Sequence, residues 1–513
     1  MSQSDHVLII GTGFAGLGMA IRLKQAGIDD FTILEKASSL GGTWRDNHYP
    51  GAACDVPSPL YSFSFEPNPR WSRLFAPQRE ILAYLEHCAD KYGLRKHIRF
   101  DCGVTRAVFD EKRGQWEVQT TDGQTLRARS IVAGCGGLSK PSLPDIPGLK
   151  SFAGKVFHTA RWDHSHALEG KRVAVIGTGA SAIQVVPAIA PQVASLKLFQ
   201  RTPPWIIPKP DPSFSARAQG VFAKVPAVQR LTRNAIYWLL EAFALGFVID
   251  PRLMKPRQNQ ALAYLARAVK DPVLREKLTP KYTIGCKRIL FTNDYFPAVQ
   301  RDNVELVTDA IDHIDENGVV TKDGARRDVD AIVLATGFQA AEACAPFEVV
   351  GRQGRDLATV WRDGAEAYLG TTVAGFPNFF TIVGPNTGLG HSSMVFMIES
   401  QVQYILSALR LMRDRHLKTV DVQEGAQARY NQRLHERLNN TVWSKGGCTS
   451  WYQTRSGKNT TLWPGFTFEY RLKTRRFDPR PYELVAKDAT DDAKADGRTV
   501  LERVTGRVVG LAG

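Results

Sequence analysis

Apolar positions along the chain fall into short runs and helical stripes that alternate. Residues 6–10 (HVLII) are apolar and strand-length, residues 17–27 (LGMAIRLKQAG) have helical spacing up to Gly27, and residues 31–36 (FTILEK) form a second strand closing on an acid. Residues 79–92 predict a helix. Residues 98–109, 116–120 and 126–133 predict the strands of a β-meander. The first design then recurs, with a strand over 172–176, a helix-like AIQVVPAIA, and a strand SLKLFQ running up to Arg201. From 203 to 280 the alternation stops. Helical spacing in NAIYWLLEAFALGF and NQALAYLARAVK predicts a helical insertion there. Residues 281–307 return to a sheet, 330–338 predict a strand ending in Ala-Thr-Gly, and 376–412 read as strand, glycine loop and long helix.

Both strand-to-helix turns are glycine fingerprints. The first is GTGFAG, with Gly11 for the tight turn, Gly13 for backbone approach to a pyrophosphate and Gly16 for helix–strand packing. A helix N-terminus there presents free N–H groups and a dipole that favours anions. The second is GTGASA, with Gly177, Thr178, Gly179, Ser181 and Ala182. Glu35 stands as far beyond Gly11 as Arg201 stands beyond Gly177. An acid there accepts hydrogen bonds from a ribose diol and repels a 2′-phosphate; an arginine does the reverse. The expected fold is therefore α/β, with two dinucleotide-binding Rossmann-like domains and a helical insertion. The first domain should hold FAD and the second NADPH, with Thr202 beside Arg201.

The chain of 513 residues is long enough for two cores, and its net charge of +15 is scattered, with no long Lys/Arg block or nucleic-acid motif. Seven cysteines (Cys54, Cys88, Cys102, Cys135, Cys286, Cys344, Cys448) show no CxxC and no zinc or disulfide spacing, which points to a reducing cytosol and no metal. The N-terminus runs into a strand without a charged leader. The most apolar stretch, 235–249, is short for a bilayer span and carries Glu241. It is read as a buried helix, with peripheral membrane contact as the minor alternative.

Between the fingerprints lies FAGKVFHTARWD (152–163), of pattern Phe-x-Gly-x-x-x-His-Thr-x-x-Trp-Asp. This resembles the signature of the type I Baeyer–Villiger monooxygenases, flavoenzymes that insert oxygen beside a ketone carbonyl. The resemblance runs over nearly the whole chain. It implies that the aromatic, proline-rich segment 41–65 wraps the flavin, with Thr43, Trp44, Asp55 and Tyr61 in contact; family members more often carry Arg where this chain has Ala53. It further implies FAD contacts at Val104 and Met394, and a mobile segment SWYQTRSGKN that brings Trp451 over the nicotinamide. The helix start near His391 to Met394 would aim its dipole at the reduced flavin.

The chemistry follows from the third reactant. A disulfide reductase needs a redox cysteine pair near the flavin, and none has the spacing. A Baeyer–Villiger enzyme instead needs a fixed cation beside an anionic flavin 4a-peroxide that attacks a ketone. The resemblance places that cation at Arg288 of the Lys287-Arg288 pair, positioned by Asp55, with Lys287 joining Arg201 and Thr202 on the 2′-phosphate. Two alternatives stand beside this reading: a flavin-containing N- or S-monooxygenase, and a non-catalytic flavoprotein that senses NADPH. The expected partners are a small-molecule ketone and dioxygen. The expected layout is 1–145 and 339–486 for the two parts of the FAD domain, 146–338 for the NADP domain with its insertion at about 210–280, and a polar tail at 487–513.

Overall fold

The computed structural model describes residues 5–339, 345–454 and 456–487; most of the expected polar tail lies outside them. The chain opens with β1 (Val7–Ile10), α1 (Phe14–Gln25) and β2 (Phe31–Leu34). Every residue of β1 is buried, as a central parallel strand covered on both faces requires. After the irregular segment 41–65 come α2 (Gln78–Lys91) and β3 (Ile98–Arg99), then β4 (Val104–Asp110), β5 (Gln115–Thr120), β6 (Thr125–Ala128) and β7 (Ser130–Ala133). The expected three-stranded meander is thus divided. β4, β5 and β6 pair antiparallel, whereas β3 and β7 join the parallel sheet. Asp101 at φ 52 turns the chain between β3 and β4, and buried Arg129 separates β6 from β7.

The second unit comprises β8 (Lys155–His158), β9 (Arg172–Ile176), α3 (Ala182–Ile189), β10 (Ser195–Phe199) and β11 (Ile206–Ile207). The insertion helices follow, α4 (Ala216–Lys224), α5 (Pro226–Ala244) and α6 (Lys255–Ala268), with a short further helix over Pro272–Lys277. The chain then returns through β12 (Leu290–Phe291), β13 (Val304–Val307), a small antiparallel sheet of β14 (Ile311–Ile314), β15 (Gly318–Thr321) and β16 (Arg326–Asp328), and β17 (Ala331–Leu334). Beyond it lie β18 (Glu348–Val350), β19 (Phe379–Thr381), α7 (Met394–Asp414), β20 (Leu417–Val422), α8 (Thr467–Thr474) and β21 (Tyr482–Ala486).

Two five-stranded parallel sheets result, ordered β19-β7-β1-β2-β3 and β13-β10-β9-β17-β8. In each, the strand before the fingerprint is central. Its next strand leaves on one side, and a later strand, β7 or β17, pairs on the other. That reversal opens a crevice at the carboxyl ends of the strands, where α/β sheets bind ligands. The chain crosses between the two sheets on paired segments: Ser142 N–H donates to Gly337 and Gln339 N–H to Lys140, at 2.8 and 3.0 Å.

Two expectations are corrected here. Cys286 and Cys448 are joined in a disulfide across 162 residues, a separation over which local spacing carries no pairing signal. Residues 235–249 are not a buried helix either. Trp238, Leu239, Leu245 and Ile249 are exposed, because α5 turns its polar residues inward. Gln229 Nε2 donates to Asn68, Arg233 to the carbonyls of Pro59, Leu60 and Ser62, and Tyr237 pairs with Thr467 Oγ1. Buried Glu241 accepts from the Thr467 N–H and hydroxyl. Among the described residues no helix is long and apolar enough to cross a membrane.

Candidate active site

The first fingerprint is shaped by what glycine permits. Gly11 has φ +99, and a Cβ there would stand 2.9 Å from the Gly134 carbonyl, at the β1–β7 crevice. At Gly16 a Cβ would lie 1.8 Å from the Gly11 carbonyl oxygen. Gly13 differs: a Cβ would meet only Gly42 Cα, at 3.8 Å, so the position faces open space between two glycine backbones. Gly13 caps α1 without a side-chain hydrogen bond, leaving the first-turn N–H groups free for an anion. The second fingerprint matches it. Gly177 has φ +113 against the Ala335 carbonyl, Gly179 has nothing within 4 Å, and Ser181 caps α3 without a side-chain bond. Both turns fit a pyrophosphate cradle.

The acid and the arginine at equivalent positions sit in opposite surroundings. Glu35 is buried, with Thr12 N–H and hydroxyl on Oε2 at 3.1 and 2.6 Å, and Ala37 N–H and Arg45 on Oε1 at 3.0 Å each. Arg201 is exposed, at the carboxyl end of β10. Thr178 Oγ1 donates to the Thr202 carbonyl at 2.9 Å, tying that strand end to the fingerprint turn. Burial and the neighbouring Arg201 cation hold the Lys287 ammonium below its ordinary pKa. Neither cation has a carboxylate partner among the described residues, which is an arrangement suited to a phosphate.

Arg288 and Asp55 meet through a two-pronged ion pair, Nε to Oδ2 and Nη2 to Oδ1, each at 2.6 Å. Burial disfavours the Asp55 charge, yet Arg288 outweighs it and the carboxyl lies below its ordinary range. Burial likewise opposes the Arg288 charge, and Asp55 holds the guanidinium above its ordinary value. Asp55 belongs to the irregular segment whose placement comes from elsewhere. Gln184 of α3 receives the Tyr49 hydroxyl at 2.8 Å and donates to the Ala53 carbonyl at 3.0 Å, while Arg233 of α5 clasps residues 59–62. Trp44 Nε1 donates to the Tyr61 hydroxyl at 3.2 Å, and the rings meet edge to face. Thr43 opens the short helical turn Thr43–Asp46. Val104 begins β4 half-buried, and Met394 begins α7 after the Ser393 cap.

Trp451 is 47% exposed, its ring 4.5 Å from that of Tyr452, which is buried. Sequence reasoning missed Tyr452. Burial pushes its phenol up to about 12, against a smaller lowering by Arg288, and its hydroxyl has no hydrogen-bond partner among the described residues. His391 Nε2 faces Glu241 Oε2 at 3.7 Å, and Asn386 Oδ1, Ser392 Oγ and Thr460 Oγ1, near the start of α7 or on the segment beyond Trp451, are among the buried polar atoms without a hydrogen-bond partner among the described residues. Such orphaned groups are costly unless a ligand meets them. Thr12, Gln184 and the disulfide were also missed. The disulfide joins the residue before Lys287-Arg288 to the third residue before Trp451.

Comparison with known proteins gives the family. Residues 8–224 match the model of the family described as pyridine nucleotide-disulphide oxidoreductase; the disulfide observed here lies outside that span. A Baeyer-Villiger monooxygenase of Pseudomonas aeruginosa is 53% identical, with 93% of this chain and 91% of that protein aligned. One of Streptomyces coelicolor is 49% identical over 96% of each. Oxidized steroid monooxygenase bound to NADP superposes with a TM-score of 0.83 at 34% identity, covering 94% of this chain and 99% of that one. Cyclohexanone monooxygenase from Rhodococcus sp. Phi1 bound to NADP+ gives 0.84 at 29% identity, covering 94% and 99%.

Proposed function

Since the chain belongs to the Baeyer–Villiger monooxygenases, FAD- and NADP-dependent enzymes of ketone oxidation, we propose that Arg288, held by Asp55, is the cation around which its oxygen insertion is organised. The supporting observation is the two-pronged pair at 2.6 Å between residues 233 positions apart. FAD, when bound, takes hydride from NADPH and activates dioxygen. This chain's own residues do the rest. The turns at Gly11–Gly16 and Gly177–Ala182 cradle the two pyrophosphates, and Glu35, oriented by Thr12, takes the flavin-side ribose. Arg201, Lys287 and Thr202 hold the 2′-phosphate of NADPH, and Trp44 with Tyr61 closes the wrapping segment.

Arg288 then acts by standing charge. Negative charge develops on the ketone oxygen during attack, and a preorganised guanidinium in a partly dry site stabilises it without reorganisation. Asp55 prevents the guanidinium from rotating away. Tyr452, still protonated at neutral pH, supplies a second donor beside the pair. Trp205, Phe247, Ile284, Trp443 and Trp463 belong to the same apolar cluster as Tyr452, which limits water. The substrate class is a ketone, converted to an ester or lactone. A panel of cyclic, linear and aryl ketones tests this: NADPH consumption should depend on the ketone, and the product should be heavier by one oxygen. If only sulfides and amines respond, the nitrogen- or sulfur-oxidising reading replaces this one.

A further inference from the structure

Helix α5 is amphipathic in the inverted sense. Its inward face repeats Gln229, Arg233, Tyr237 and Glu241 at intervals of four, each bonded to protein. The outward face carries Val228, Leu231, Trp238, Leu239 and Leu245, with Leu231 68% and Trp238 59% exposed. The apolar surface continues past the helix through Ile249 and Leu253. It also spreads sideways to α8, where Phe468 lies 6.1 Å from the Trp238 ring and Leu472 is 66% exposed. Single exposed apolar residues are ordinary; a contiguous patch on one helix face, with the polar residues spent inward, is not.

Charge selects among possible occupants. Between 212 and 270 there are nine Lys or Arg residues but only two acids, Glu241 and Asp250. Glu241 is buried, so Asp250 is the sole acid of that stretch left to oppose them; on α8, Glu469 is already paired with Arg437. Arg217, Lys224, Arg230 and Lys255 are exposed and have no carboxylate partner among the described residues. An apolar helix face with tryptophan, flanked by unpaired cations and nearly free of acids, complements an anionic lipid surface. A second copy of the same basic face would meet like charge.

We propose that this face docks in the plane of an anionic phospholipid bilayer. Leu231, Trp238, Leu239 and Ile249 enter the headgroup–acyl boundary, while Arg217, Lys224, Arg230 and Lys255 meet the phosphates. The test is sedimentation of the FAD-loaded enzyme with phosphatidylcholine vesicles, with and without about 30% phosphatidylglycerol. Binding should require the anionic lipid and weaken with salt. Trp238→Ser with Leu239→Ser, both exposed, should keep the yellow FAD and lower the partition coefficient at least about tenfold. Lys224→Glu with Arg230→Glu should abolish the preference for anionic lipid. The proposal is overturned by absence of binding, by equal binding to neutral vesicles, or by a serine double variant that binds like the parent. It is also overturned if the parent sediments as a dimer that the serine variant dissociates.

Discussion

Arg288 and Asp55 are held face to face by two hydrogen bonds of equal length, 2.6 Å. Arg288→Ala should retain FAD, since neither fingerprint is touched. Flavin reduction by NADPH should slow but persist in stopped-flow measurements. Ester or lactone should fall below detection, with the oxygen consumed appearing as hydrogen peroxide. Asp55→Ala should do the same less completely, because it frees the cation without removing it. Near-parental ester yield from Arg288→Ala would sink the assignment.

Arg201 should read the 2′-phosphate. Arg201→Ala should weaken NADPH binding by about tenfold to a hundredfold and leave NADH nearly unchanged, the size of one charge-assisted hydrogen bond. Comparing the two Kd values by titration decides this. Equal losses would show that Arg201 supports the fold of the strand end and does not recognise the phosphate.

Glycines 13 and 16 should fail differently. Gly13 has room for a side chain until a pyrophosphate arrives, so Gly13→Val should give a folded, colourless protein. Gly16 has none, and Gly16→Val should not yield soluble protein. Absorbance near the flavin maximum and circular dichroism separate the outcomes; stoichiometric FAD in Gly13→Val would contradict the cradle.

Glu241 gives a pH signature. Burial opposes its charge, but His391 and the Thr467 donors outweigh that and keep the carboxyl below its ordinary 4.5. A depressed carboxyl contributes stability above the unfolded value and loses it as pH falls through the folded one. Glu241→Gln should cost about 2–4 kcal/mol at neutral pH, since an amide turns one oxygen into a donor facing Thr467. The gap in thermal midpoint between parent and variant should hold down to about pH 5 and narrow below it. A gap independent of pH would mean that shape, not charge, is what Glu241 contributes.

The fingerprints, the central strands and the Glu35–Arg201 contrast were legible because each is local: a turn, a run or a fixed spacing. The insertion was legible as helical but not in its orientation. Apolar periodicity shows that α5 has an apolar face; whether Arg233 finds the carbonyls at 59–62, and so turns that face outward, depends on segments far away in sequence. The division of residues 126–133 between two sheets was invisible for a similar reason, since β7 pairs with β1 and β19. Gln184 reads as one polar residue on an apolar helix until the folded Tyr49–Ala53 loop arrives beside it. The disulfide had the faintest trace: one cysteine beside Lys287, another shortly before Trp451.

That disulfide sets a leash. Cys448 Cα is 6.2 Å from Cys286 Cα, and three residues of chain extend at most about 11 Å. However far the segment around Trp451 swings, its Cα stays within about 17 Å of Cys286, the residue next to Lys287. The indole is therefore tethered to the stretch that carries Lys287 and Arg288, whatever conformation the intervening residues take. Reduction would cut the leash. Trp451 would then be held only by the longer stretches of chain on either side of it, while Arg288 and Asp55 would keep their own pairing.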